Sequence, residues 1–246
     1  MANTGFAEWL ETEQGLYVRR WVEARHDQLV ADIFGFNAVQ VGLPQLDLLR
    51  SNRMPFQFKC SDEDGVGVRV KSTALELPFE SSSIDLVVLP HILEFSEHPH
   101  RVLREVERVL VPEGSVIVTG FNPFSLWGMH RRLTRQRSEA PWRGRYISVP
   151  RLKDWFTLLG METHMGCFGC YAPALEQEKW LQRWHFMEPA GDRWWPFAGG
   201  VYMLQAIKRV HGMRLITPKW KERTAAAKAL APVIQRHQRQ ENPGND

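Results

Sequence analysis

At 246 residues, with 43% hydrophobic and 24% charged side chains, the chain is long enough for one large domain or two small ones and ordinary in composition for a globular protein. That composition excludes a disordered, collagen-like or coiled-coil chain. There is no run of about 18 apolar residues to cross a membrane, Met1 to Glu8 lack the basic head and apolar run of a secretory signal, and three cysteines do not make a disulfide framework, so the expected location is cytoplasmic. The net charge of +3 is unevenly spread: from Lys208 onward nine Lys/Arg face three Asp/Glu, and Arg131, Arg132, Arg135, Arg137, Arg143, Arg145 and Arg151 face only Glu139. Such stretches are either solvated faces or contacts for nucleic acid or an acidic partner. No zinc-finger spacing or aromatic RNA-binding signature accompanies these arginines.

In chain order, Val18, Trp21, Val22, Leu29, Val30 and Ile33 predict a helix over about 15–34. Ala38 to Gly42 reads as a short strand ending in glycine, Leu43 to Gln45 as a turn, and Leu46 to Arg50 as one or two helical turns. Phe56–Cys60 and Val66–Val70 read as strands around a polar turn, Ser61 to Gly65. Ile84 to Pro90 is apolar enough for a strand buried on both faces. Val102, Leu103, Val106, Val109 and Leu110 mark one face of a helix over 99–110, broken by Pro112-Glu113-Gly114. Ser115–Phe121 is a second buried strand, which makes a parallel strand–helix–strand unit. Helices over 149–159 and 174–187, strands over 161–167 and 200–207, and a short basic helix within 224–240 complete the pattern, with a disordered end. The expected organisation is a helical segment over 1–34, an α/β domain over 35–210 and a basic, partly disordered tail over 211–246.

Four blocks then resemble one family. Ala74-Leu75-Glu76-Leu77-Pro78-Phe79, Ser83-Ile84-Asp85-Leu86-Val87-Val88, the run Leu103 to Gly114, and Phe121-Asn122-Pro123-Phe124-Ser125-Leu126-Trp127 are similar, in order and spacing, to the class I S-adenosylmethionine-dependent methyltransferases of the "type 11" group. Tyr146 to Gly160 also looks like that family's segment before its sixth strand. The resemblance spans about 35–210. It implies a Rossmann-like α/β fold, a mostly parallel sheet with helices on both faces, and S-adenosyl-L-methionine as cofactor. It implies methyl transfer, with a small molecule as the first choice of acceptor. The alternatives are a catalytically inactive binding or regulatory module, and a methyltransferase whose substrate is nucleic acid or protein.

The resemblance also implies a donor site. Family members carry an acid followed by glycines after the first strand, where bare backbone approaches the cofactor closely. The matching run here is Gln40-Val41-Gly42-Leu43-Pro44: one glycine is kept, Gln40 stands at the acid's place, and Pro44 has no N–H to offer. Asp62 follows Gly42 at the roughly 20-residue spacing of a ribose-binding acid, and reads alternatively as a turn residue. Thr73 stands where the family has Asp before Ala74, while Ala74 and Leu75 still offer backbone groups. Only five residues separate Cys60 from Val66, too few for the dozen or so of an ordinary parallel crossover; either the family's second helix is absent or the two strands pair differently.

Around the reaction centre, strand ends carry ligand sites in such sheets, which points to Pro90 and His91. His91 reads as a base, a substrate-orienting group or a buried structural histidine. Asn122 reads as a substrate contact or a loop cap. Cys167-Phe168-Gly169-Cys170 lacks the second ligand pair a zinc site needs, so packed cysteines and no metal are expected. Trp180, Trp184, Trp194 and Trp195 are either core or cover for an acceptor pocket.

Overall fold

A computed structural model describes residues 4–133, 139–173, 193 and 195–209. The chain divides into Met1–Val210 and His211–Asp246, and all described residues belong to the first unit. The elements are α1 (Thr4–Trp9), α2 (Glu13–Ala31), β1 (Asn37–Val41), β2 (Phe56–Ser61), β3 (Val68–Lys71), β4 (Ile84–Pro90), α3 (Ile92–Phe95), α4 (Pro99–Val109), β5 (Leu110–Phe121), α5 (Leu126–Leu133), α6 (Val149–Leu158), β6 (Met161–Gly169), a 3-10 turn (Pro196–Ala198) and β7 (Val201–Lys208). The expected helices over 174–187 and 224–240, the disordered end, and Trp180, Trp184 and Trp194 lie outside the described residues.

The seven strands form one sheet in the order β3-β2-β1-β4-β5-β7-β6. The first five strands run parallel, and β7 lies antiparallel to both β5 and β6. Each face of the sheet carries its own core. On one, Val39, Val87, Leu89, Val116 and Val118 meet Val102, Leu103 and Val106 of α4 and Leu152 and Phe156 of α6. On the other, Ala38, Leu86, Val88 and Ile117 meet Phe6 of α1, Val18, Val22 and Val30 of α2, and Trp127 of α5. The alternation of strand side chains between two buried faces explains why β4 reads as an unbroken apolar run.

Helix α2 starts where Thr12 accepts the Gly15 N–H (3.2 Å), and its buried Val18, Val22, His26 and Val30 recur at four-residue intervals along one stripe. The expected helical turns over Leu46–Arg50 are tight turns instead: Leu46 N–H donates to the Leu43 carbonyl and Asn52 N–H to that of Leu49. No helix bridges β1 to β2, or β2 to β3, among the described residues. The expected break at 112–114 is a bulge in β5, since Ile84 pairs with Leu110 but Leu86 with Ser115. α1, α3 and α5 are short, and no element was expected at any of the three.

β2 and β3 are parallel neighbours despite their short link. Register resolves the difficulty: Ser61 lies opposite Lys71 and Lys59 opposite Val68. From the end of β2 the chain has to climb back only to the level of Lys59, about 7 Å at the rise of a strand, and move one strand sideways. A full-length crossover is required only when the second strand begins beside the start of the first. Of the two sequence alternatives, the absent helix is the one observed.

His26 is buried within α2, its Nδ1–H donating to the Val22 carbonyl (2.8 Å) while Nε2 has no partner among the described residues. Burial drives its pKa from an ordinary 6.5 down to about 4. The unfolded chain thus takes up a proton that the folded chain refuses, so stability present above pH 6.5 is lost as pH falls toward 4. Urea unfolding at about pH 7.5 and about pH 4.5 should show this residue contributing a loss of about 2–3 kcal/mol, and His26→Leu should flatten the pH dependence by that amount.

Candidate functional site

The sheet reverses its winding between β1 and β4, and the carboxyl ends of strands at such a reversal leave a crevice. A cleft of about 300 Å³ occupies that place. Val41 and Gly42 close it at the end of β1, Ser61 and Asp62 at the end of β2, and Ser72 to Leu75 after β3. Ile92, Phe95, Ser96, Glu97, His98 and Val102 form the opposite wall. Four of the residues expected at a donor site, Gly42, Asp62, Ala74 and Leu75, are therefore brought together. Gly42 and Leu43 both have positive φ, 77° and 44°, a turn that admits glycine readily and leucine only under strain. The Gly42 N–H is already used, donating to the Cys60 carbonyl (2.7 Å).

The wall after β3 is held by α4. Glu105 accepts the Leu77 N–H (2.9 Å), and Arg108 donates to the carbonyls of Leu77 (3.0 Å) and Phe79 (2.9 Å) while pairing with Glu105 (2.7 Å). The Arg108 guanidinium holds the Glu105 carboxyl below its usual range. The family-like Glu and Arg of that helix thus act as a clamp on the cleft loop.

Gln40, Pro90, His91 and Asn122 do not line the cleft. Gln40 is fully buried, and its amide is consumed by its own loop. Nε2 donates to the carbonyls of Gly42 (3.2 Å), Leu43 (3.0 Å) and Leu46 (3.1 Å), and Oε1 accepts the Leu48 N–H (3.0 Å). It cannot meet a donor ammonium, because both ends of the amide point into that loop. Pro90 is buried in the ladder opposite Thr119. Asn122 donates to the carbonyls of Phe197 (2.8 Å) and Gly199 (3.0 Å) and accepts the Phe124 N–H (3.0 Å), stapling the turn after β5 to the segment before β7. The loop-cap alternative is the one seen.

His91 turns the chain from β4 into α3 with a φ of 52° and is 1% exposed. Its Nδ1–H donates to Glu94 Oε2 (3.0 Å), while the other Glu94 oxygen accepts the Phe121 N–H. Its ring packs on Phe6 (5.0 Å) and Phe121 (4.7 Å), and Nε2 has no partner among the described residues. Gly120 makes room for this pair: a Cβ there would lie 2.7 Å from the Tyr202 hydroxyl and 3.0 Å from Glu94 Oε1. Burial, reinforced by Glu94, pushes the phenols of Tyr202 and Tyr146 well above their usual range, so both stay neutral. Glu94 was not singled out in the sequence, although its position three residues after His91 is the signal that pairs them on a helical turn. Ser61, Ser72, Ile92 and Ser96–His98 also line the cleft and were not singled out, since nothing in their spacing sets them apart before the chain folds.

No group of three or more His, Cys, Asp or Glu among the described residues could hold a metal ion. Arg131 is engaged internally, donating to the Trp142 carbonyl (2.8 Å) with its guanidinium 5.0 Å from the centre of the Tyr146 ring. No helix among the described residues is long and apolar enough to cross a membrane.

Comparison with known proteins agrees with this geometry. Residues 47–118 match the family model described as a methyltransferase domain. The uncharacterised Escherichia coli protein YafS is 30% identical over 155 residues, 63% of this chain and 64% of YafS, so the match spans less than two thirds of that relative. A Thermotoga maritima S-adenosylmethionine-dependent methyltransferase superposes with a TM-score of 0.61 at 17% identity, over 84% of this chain and all of the other. A chain from the Haloferax volcanii complex of the Trm112 methyltransferase activator with a methyltransferase gives 0.60 at 16% identity, over 86% and 99%. The chain thus resembles a methyltransferase domain over the matched sequence segment and S-adenosylmethionine-dependent methyltransferases in its fold.

The Gln40 network makes a direct prediction. Gln40→Glu, which restores the acid of the family pattern, sets a carboxylate against three carbonyls in a buried site. It should destabilise the protein by about 3 kcal/mol or more in denaturant unfolding.

Proposed function

We propose that the chain is an S-adenosylmethionine-dependent methyltransferase acting on a small-molecule acceptor. The observation that carries this is the cleft at the sheet reversal, which gathers Gly42, Asp62, Ala74 and Leu75 from three strand ends. The residues present fit the adenosyl part of the donor. Asp62 is exposed at the cleft and would accept hydrogen bonds from ribose hydroxyls. Leu75, Ile92 and Val102 would give the base a dry wall, with backbone groups at Ala74 and Leu75 to read its edge. At the other end Gly42 would let the backbone approach closely, although Pro44 brings no N–H and Gln40 is turned away.

The bound donor supplies a methyl group on a positively charged sulfur, already activated for displacement. What remains for the protein is to hold the acceptor in line and to keep water out. Glu97 and His98 line the cleft wall, where they can take a proton from an acceptor that must lose one. His91 acts here by position: with Glu94 it ties the end of β4 to the end of β5 beneath Ile92, a cleft residue.

A second reading, a non-catalytic binding module, is favoured by Gln40 and Pro44 standing where the family has an acid and a glycine. Isothermal titration of cofactor-stripped protein with S-adenosylmethionine and S-adenosylhomocysteine tests both. The methyltransferase reading predicts micromolar binding, with the product at least as tight. Asp62→Ala should weaken both by about tenfold or more, the worth of a hydrogen bond to a charged group. Absence of binding by folded wild-type protein would overturn the donor site, and unchanged affinity in Asp62→Ala would overturn the ribose assignment.

A further inference from the structure

A second recess, of about 270 Å³, adjoins the cleft and shares Ser96, Glu97 and His98 with it. It is lined by Arg101, Arg145 and Arg151 together with His98 and His100, against one carboxylate, Glu97. Among the described residues none of the three guanidiniums forms an ion pair; Arg151 lies 5.3 Å from the centre of the Trp155 ring. Two helices begin here. α4, capped by His98, contributes Pro99, His100 and Arg101, and α6 contributes Arg151 in its first turn. Neither has an acidic residue in its first turn, and neither Ncap residue, His98 or Ser148, makes a side-chain capping bond. Both starts still present the partial positive charge of a helix N-terminus, although Pro99 and Pro150 carry no N–H and the Arg101 N–H already donates to the His98 carbonyl (2.9 Å). Tyr146 adds an aromatic wall to the same recess.

We propose that this recess is an anion-holding subsite for the acceptor, with Arg145 and Arg151 as its principal cations, and that the acceptor is a small molecule carrying a phosphate or carboxylate group. The claim rests on the methyltransferase reading for the word acceptor, and on the recess alone for the anion. Guanidinium groups form strong charge-assisted bonds to either head group. A nucleic-acid backbone is disfavoured by the walls: Leu93, Tyr146, Ile147 and Trp155 make a pocket of small-ligand size, whereas Arg131, nearest in sequence to the remaining basic stretch, is already engaged.

Two probes separate the head groups: pyrophosphate and malonate, each titrated calorimetrically into the full chain. Binding of at least one is expected, at one site per chain, and the tighter one identifies the group. The double variant Arg145→Gln/Arg151→Gln should weaken that binding by about tenfold or more. Arg143→Gln, which removes an exposed arginine outside the recess, should leave it unchanged. All three proteins should melt alike and bind S-adenosylhomocysteine alike, so a failed donor site shows itself separately. Binding of neither probe, or an equal loss in Arg143→Gln, would overturn the subsite. A single-stranded oligonucleotide that displaces the probe and loses affinity in Arg143→Gln would overturn the small-molecule acceptor.

Discussion

The fold around the cleft depends on one buried amide. Between β1 and β2 the chain runs through residues 42–55 without a helix, so its backbone groups need partners from elsewhere. Gln40 supplies four of them from a single side chain, and Leu43, Leu46, Leu48 and Leu49 anchor the same segment in the core beneath. Together they hold Gly42 and Leu43 in left-handed geometry at the cleft mouth. An acid at position 40 would have only acceptors to offer to three carbonyls. The departure from the family pattern at position 40 is therefore structurally coupled: a glutamine there satisfies a helix-free loop that an acid could not.

The neighbouring walls follow from similarly local constraints. The short offset of β3 against β2 allows a tight return that sets Asp62 beside the loop Ser72 to Leu75. Glu105 and Arg108 clamp the next part of that loop onto α4. Opposite, the His91–Glu94 pair fixes the start of α3, and with it Ile92 and the linker Ser96–His98 that the cleft and the basic recess share. Strained or buried polar features of this kind persist where the surrounding structure overdetermines them.

Much of this was legible in the residues, for identifiable reasons. β4, α4, α6 and β7 declare themselves because each buries a whole face or stripe, and apolar periodicity reports burial. Gly42, Asp62, Ala74 and Leu75, which the cleft brings together, were all named from the resemblance. Gln40, His91 and Asn122 were named for chemistry that their side-chain orientations do not serve, since residue type states what a group can do and not which way it points. The three short elements lacked the length to show a period. The recess brings Arg101 of α4 beside Arg145 and Arg151, a juxtaposition made only by packing.

The central claim is that a donor pocket persists although its glycine loop has been rebuilt around Gln40. Hydrogen–deuterium exchange of the full chain, with and without S-adenosylhomocysteine, tests it most directly, because amide protection maps a site residue by residue. The account predicts added protection at 42–48, 61–63 and 72–76, the three segments that meet at the cleft. Protection confined to other segments, or none at a saturating concentration of the product, would contradict it.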